Sequence, residues 1–347
     1  MGKSKERTNT FQEQNERRHI LYYRRKYGEL GMAPQIVTQL GVRAASKKRQ
    51  SCPASLDDSQ TRLDSQYWQF RRQYHSQVTI MKGKVFWVSR AIHNDQEVAI
   101  KHLSCSWDDL IKPRNHLTTR LRHEYLILRR LDHANIIKAL DFITTKQESF
   151  LILPLMKGQD LFERLNAYKP RFMPENDGKI VMWQILQATQ YLHQCNIIHR
   201  DIKLENIFLR QPDSLSLVLG DFEAATYVHH DIKISQFNVG TRVIRPPEME
   251  YQIPYSFSVD YWCIGIVMYQ ILLGRSPFYF DDNMNRQIKL ENSFWDVILA
   301  NQCKEIIQKL IVLDPDGRMN PSQALHHPWF AEIAKGNSSI KQGNLLL

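Results

Sequence analysis

The sequence predicts an α+β fold in two lobes, a small β-rich lobe over residues 77–154 and a larger helical lobe over 155–330. Three observations carry this. From Gln77 onward, Val, Ile, Phe and Trp cluster in "QVTIMKGKVFWVSRAIHNDQEVAIKHL". Beyond "GQDLFERL" the apolar residues recur at helical spacing. The change of character falls near Pro154.

Within the first lobe, "HNDQ" is a turn signal between two strands, the second ending in "VAIK". In "TTRLRHEYLILRRLDHAN" the residues Leu117, Leu121, Tyr125, Leu128 and Leu131 share a helical face, with Asn135 expected to stop the helix. "IIKALDFIT" and "SFLILPLM" return to strand-like runs. The second lobe reads as helices through "KIVMWQILQATQYLHQ", "SVDYWCIGIVMYQILLG" and "NQCKEIIQKLIVLD". No repeat of 20–50 residues occurs, which excludes a solenoid.

Charge separates the flanks from this core. Residues 1–76 hold 15 of the 46 Lys and Arg but 7 of the 36 Asp and Glu, and contribute +8 of the formal net charge of +10. They read as a basic, partly disordered extension suited to an acidic partner, nucleic acid or an anionic surface. Residues 331–347 form a short polar tail. No apolar run approaches the roughly eighteen residues of a membrane span, and "MGKSKERTNT" has no apolar signal core. Five scattered cysteines without Cys-x-x-Cys spacing suit a reducing compartment, so the expectation is a cytoplasmic or nuclear chain without a transmembrane segment.

The chemistry concentrates in "IIHRDIKLENIFL". A loop bounded by buried β residues there presents Asp201, Lys203 and Asn206 within six positions. Asp201 is suited to accept a hydroxyl proton, Lys203 to neutralise a transferring phosphoryl group, and Asn206 to bind a divalent metal through its carbonyl oxygen. Asp and Asn are also common turn residues, so each alone says little.

Taken together, the motifs resemble those of the eukaryotic protein kinase family from about Val78 to Phe330, in the family's order. The resemblance implies a Ser/Thr kinase of the compact calmodulin-dependent type, using ATP with Mg2+ or Mn2+ and acting on protein substrates. It implies that Lys101 of "VAIK" meets the nucleotide phosphates and pairs with Glu124, that Asp201 is the base, and that Asp221 of "GDFE" binds metal with Asn206. Gly83, Val88, Ala99 and Leu153 are then expected around the nucleotide, with Pro154 and Met156 meeting the adenine through backbone groups and Asp160 meeting the ribose. Glu248 is expected to pair with Arg318, and Asp260 to brace the catalytic loop. Lys203 and Thr241 point to Ser/Thr acceptors, and Arg200 points to control by phosphate on an activation segment in which Thr226 and Ser235 are candidates.

Two departures stand out. If Val88 closes the family's Gly-x-Gly-x-x-Gly-x-Val loop, only Gly83 remains, with Met81 and Phe86 in the outer glycine positions and Lys82 and Lys84 adding charge. Reduced nucleotide affinity is the expectation. Glu223 replaces the glycine of Asp-Phe-Gly, and three readings compete: a tolerated side chain facing solvent, which we favour, an auxiliary metal ligand, or a lesion. The alternative to a kinase is therefore a pseudokinase, the same fold used as a binding or scaffolding module. Glu205 and Asp160 suggest a preference for Arg at the third position before the target, a form that "RAAS" at 43–46 also has.

Overall fold

The computed structural model describes residues 69–82, 86–103, 115–144, 148–228, 232–280, 286–290 and 295–335 of the 347. The small lobe is a five-stranded antiparallel sheet in the order β1-β2-β3-β5-β4. Its strands are β1 (His75–Lys82), β2 (Phe86–His93), β3 (Gln96–Leu103), β4 (Asp141–Thr144) and β5 (Ser149–Pro154), with helix α1 (Asn115–Leu128) between β3 and β4. Asn94 and Asp95 join β2 to β3 with φ of 47° and 60°. Two successive left-handed residues match the twist of a hairpin, and Asn and Asp tolerate them.

Period-two alternation sorts β3. Val98 and Ile100 turn to one face and join Ala91, Phe150 and Ile152, while Ala99 and Lys101 turn to the other. Phe70 and Tyr74 complete that outer cluster, 3% and 2% exposed. Phe70 stacks on Phe150 at 4.2 Å and Tyr74 on His93 at 4.5 Å. Burying an aromatic ring stabilises by about 1.5–3 kcal/mol, so these residues belong to the sheet they cover. The lobe therefore begins before the boundary expected at 77, and residues 69–73 are helical.

Two other expectations shift. Helix α1 ends at Leu128 rather than running to Leu131, and Asn135 is not its stop. Instead the Asn135 amide donates to the Gln184 side chain and to the Leu217 carbonyl, both at 2.9 Å. Of "IIKALDFIT" only Asp141–Thr144 is strand; Ile136 and Ile137 are buried beside Leu219 of the large lobe, and the Ile137 N–H donates to the Leu219 carbonyl at 2.9 Å.

The large lobe opens with α2 (Leu161–Ala167) and α3 (Glu175–Gln194). Two short ribbons follow, pairing β6 (Ile197–Ile198) with β9 (Thr226–Tyr227) and β7 (Ile207–Leu209) with β8 (Leu217–Leu219). These hold the loop at 199–206 on both sides. Then come α4 (Pro247–Glu250), α5 (Ser258–Leu273), the ribbon β10 (Phe278–Phe280) with β11 (Arg286–Ile288), α6 (Trp295–Ile298), α7 (Asn301–Leu310) and α8 (Pro321–Leu325). Helix α5 is apolar all round because α3 and α7 cover it, so it forms the lobe's central strut. No helix among the described residues is long and apolar enough to cross a membrane.

Glu248 of α4 and Arg318 form a bidentate ion pair, with two hydrogen bonds of 2.6 and 2.8 Å and side chains 2% and 0% exposed. Arg318 also donates to the carbonyls of Val312 and Ser258, and its guanidinium lies 4.9 Å from the Trp262 ring centre. Truncating one partner leaves the other charge buried and unpaired, at a cost of about 3–5 kcal/mol. Arg318→Ala and Glu248→Ala should each lower stability by that amount in denaturant unfolding. The pair Glu248→Leu with Arg318→Met should lose less than the two alanine variants' losses added together.

Candidate active site

Lys101 sits where the two lobes meet. Its ammonium donates to Glu124 Oε2 at 2.7 Å and to Asp221 Oδ1 at 2.8 Å. The sequence supplies each partner through local geometry. Leu121, Glu124 and Leu128 lie on one face of α1, and the two leucines, fully buried, seat the helix so that Glu124 turns inward. Asp221 follows β8 after a single glycine, Gly220, in a left-handed conformation with φ of 56°. Glu124 Oε1 also accepts the Phe222 N–H at 3.1 Å. Burial opposes ionisation of all three groups. For Asp221 the Lys101 charge outweighs burial and holds the carboxyl below its ordinary range, whereas burial leaves Glu124 raised. The two carboxyl groups in turn raise Lys101 despite burial.

A second cluster forms around Asp201. Its Oδ1 accepts the Thr241 N–H at 2.8 Å, and its Oδ2 pairs with Lys203 at 2.9 Å. Lys203 also donates to Thr241 Oγ1 at 2.7 Å. The Asn206 amide donates to the Asp201 carbonyl at 2.8 Å and to Oδ2 at 3.1 Å. Gly240 makes the approach of Thr241 possible. Its φ is +68°, and a Cβ there would stand 2.3 Å from the Arg200 carbonyl oxygen.

The oxygen atoms left over fit a hard divalent cation. With its amide nitrogen committed to Asp201, Asn206 retains Oδ1, and Asp221 retains Oδ2 beyond Lys101. Among the described residues no three His, Cys, Asp or Glu side chains form a metal site on their own. That suits a cation completed by phosphate oxygens and water.

A sequence model described as "Protein kinase domain" matches residues 74–330. The chain belongs to the protein kinase family. It is 35% identical over 237 residues to the meiosis-specific serine/threonine-protein kinase mek1 of Schizosaccharomyces pombe, 65% of this chain and 52% of that protein. To calcium/calmodulin-dependent protein kinase type IV of Mus musculus it is 35% identical over 218 residues, 60% of this chain and 46% of the other. To the type 1 enzyme of Macrobrachium nipponense it is 31% identical over 228 residues, 63% and 65% respectively. The chain thus matches roughly half to two thirds of the length of these relatives.

The residues expected around a nucleotide come from strands and from the linker between the lobes. Ala99 is paired with Leu153 across β3 and β5, Val88 lies opposite Lys101, and all three apolar residues are half-buried. Pro154 ends β5, and Met156 packs against the main core. Asp160 caps α2, accepting the Glu163 N–H at 2.8 Å. Gly83 and Lys84 lie outside the described residues, as do Arg43 and Ser46. Phe86, in an outer glycine position of the family, is buried with the Lys101 ammonium 5.1 Å from its ring centre.

Activation-segment residues are spread out. Thr226 is half-buried in β9 opposite Ile198, and Ser235 is exposed. Arg200 donates through Nε to the Ala224 carbonyl at 2.6 Å and through Nη1 to Gln236 Oε1 at 2.9 Å and the Tyr255 hydroxyl at 3.1 Å. Neither Gln236 nor Tyr255 carried a sequence signal, because their role depends on a contact across 36 and 55 residues.

Glu223 corrects the favoured expectation of a side chain facing solvent. It pairs with Arg120 of α1, and its side chain is 17% exposed. The backbone there is a 3-10 turn over Phe222–Ala224 and has no positive φ, so a glutamate in place of glycine carries no left-handed strain. Arg120 stands one helical turn before Glu124, and that spacing was the available signal. The ion pair holds α1 on the same segment that Glu124 grips through Phe222. Glu223→Gly and Arg120→Ala should each slow phosphate transfer by less than about tenfold, under about 1.4 kcal/mol. The double variant should be no slower than the worse single one, measured as initial rates in one double-mutant cycle.

Proposed function

We propose that the chain is an ATP-dependent kinase that phosphorylates Ser and Thr side chains of proteins. The observation that carries this is Lys101 held between Glu124 and Asp221 while Asp201 is bonded to Lys203, Asn206 and Thr241. Each role that phosphotransfer requires has a candidate residue here, and within each of the two clusters the candidates are hydrogen-bonded to one another.

Asp201 takes the proton of the acceptor hydroxyl as its oxygen bonds to the terminal phosphorus of ATP and the bond to the bridging oxygen of ADP breaks. Such a base contributes about 10²–10⁴-fold. Lys203 places its charge beside the transferring phosphoryl group, and Thr241 fixes both Lys203 and Asp201. Lys101 is placed for the nucleotide phosphates. Asn206 and Asp221 would hold a divalent cation, which would supply neutralisation of phosphate charge. Val88, Ala99, Leu153, Pro154 and Met156 receive the adenine, and Asp160 the ribose. A second reading, a kinase fold used as a binding module, draws on Phe86, whose ring covers Lys101 where the family has glycine.

Transfer of radiolabel from ATP to a generic protein separates the two. The wild-type chain should transfer with Mg2+ or Mn2+, and Asp201→Asn and Lys101→Met should each lose at least about 100-fold while keeping their circular dichroism. A folded, inert wild type establishes the binding-module reading instead.

Burial pushes the Asp160 carboxyl up to about 6, the nearby Glu163 and Glu205 adding to the shift and the Glu163 N–H opposing it. The carboxylate that recognises an arginine three residues before the target is thus present above that pH and lost below it. The advantage of an Arg-x-x-Ser peptide over its Ala-x-x-Ser counterpart should grow between pH 5 and 7, read as the ratio of kcat/KM. Asp160→Asn keeps the helix cap and should flatten that profile.

A further inference from the structure

Arg286 opens β11, immediately beyond a stretch outside the described residues, yet its side chain is only 11% exposed. The guanidinium lies 4.6 Å from the ring centre of Phe278 on β10. Nη1 donates to the carbonyls of Val243 at 2.8 Å and Arg242 at 3.3 Å. Nη2 donates to the Arg245 carbonyl at 2.7 Å and to the Glu250 carboxylate at 2.5 Å.

Three of these four acceptors belong to one short segment. It starts at Thr241, whose N–H and hydroxyl hold Asp201 and Lys203, and it runs into Pro246 and Pro247. In the single 3-10 turn over Arg242–Ile244 the Arg242 carbonyl receives the Arg245 N–H at 3.3 Å, whereas those of Val243 and Arg245 have no partner within the turn, and the two prolines that follow offer no N–H to fill them. A planar fork with several fixed donors can satisfy such carbonyls at once, which a lysine ammonium cannot do in the same geometry. A polypeptide that brings its hydroxyl to Asp201 has to lie against the surface next to Thr241, and that surface is this segment.

We propose that Arg286 is a positioning residue for the protein substrate, fixing segment 241–245 as the wall along which the substrate chain lies beside Asp201. This rests on the phosphotransfer reading above. Arg286 touches neither nucleotide nor reacting atoms; it acts through the carbonyls it gathers.

The test is steady-state kinetics of the full chain with an Arg-x-x-Ser peptide and ATP. Arg286→Ala should raise the peptide KM about tenfold or more while kcat at saturating peptide falls less than about threefold and the ATP KM moves less than about twofold. Arg286→Lys should recover part of the peptide KM. If Arg286→Ala does not fold, Arg286→Lys and Glu250→Gln carry the test through smaller rises of the same constant. An unchanged peptide KM in active, folded variants overturns the proposal, as does a fall in kcat with KM unmoved. A folded but inert wild type instead overturns the phosphotransfer reading, and the proposal with it.

Discussion

The buried carboxylate of Asp260 is the fixed point of the catalytic loop. A charge with no solvent exposure is costly unless it is fully hydrogen-bonded. Asp260 accepts the N–H groups of His199 at 2.9 Å and Arg200 at 2.8 Å, and His193 Nε2 at 2.9 Å. Burial pushes its pKa up, but these partners prevail and hold it below the ordinary range. In return it holds Arg200 at φ of 67°, a conformation that costs a non-glycine residue about 1–2 kcal/mol. That turn sends Asp201 toward Thr241 and Lys203, and His199 toward the Gly220 carbonyl at 3.0 Å. Because Asp260 sits on the apolar strut α5, the loop inherits the rigidity of the lobe's core.

The second dependency runs across the lobes. Glu124 reaches Lys101 and the Phe222 N–H only while α1 is docked, and His123 Nε2 meets the Ala225 carbonyl at 2.9 Å on the same side. Glu223 with Arg120 adds a third tie between that helix and the segment after Asp221. The glutamate that replaces the family's glycine therefore takes part in the grip on α1. A glycine at that place leaves the chain free to pivot; a glutamate paired with an arginine favours the arrangement in which Lys101, Glu124 and Asp221 meet.

Much of the site was legible because its residues sit close together in the chain. "HRDIKLEN" brings Asp201, Lys203 and Asn206 into one loop, and strand alternation puts Ala99 and Lys101 on one face. The contribution of Phe70 and Tyr74 was hidden because residues 1–76 were judged by their charge, and two aromatic residues do not alter a net charge. The helix end was misjudged for a related reason. Leu131 continues the apolar spacing of α1 but is buried by the large lobe after the helix has ended.

By itself, then, the sequence determined most of the strands and helices, the kinase order of motifs and the residue types present at each chemical role, since periodicity, turn chemistry and spacing are local properties. Tertiary structure decided which charges meet. Glu223 was an exposed acid, a metal ligand or a lesion until the fold brought Arg120 to it, and Arg200 meets Gln236 and Tyr255 only across 36 and 55 residues of chain. The energy of such pairs depends on distance and burial, and neither is defined until distant parts of the chain have packed.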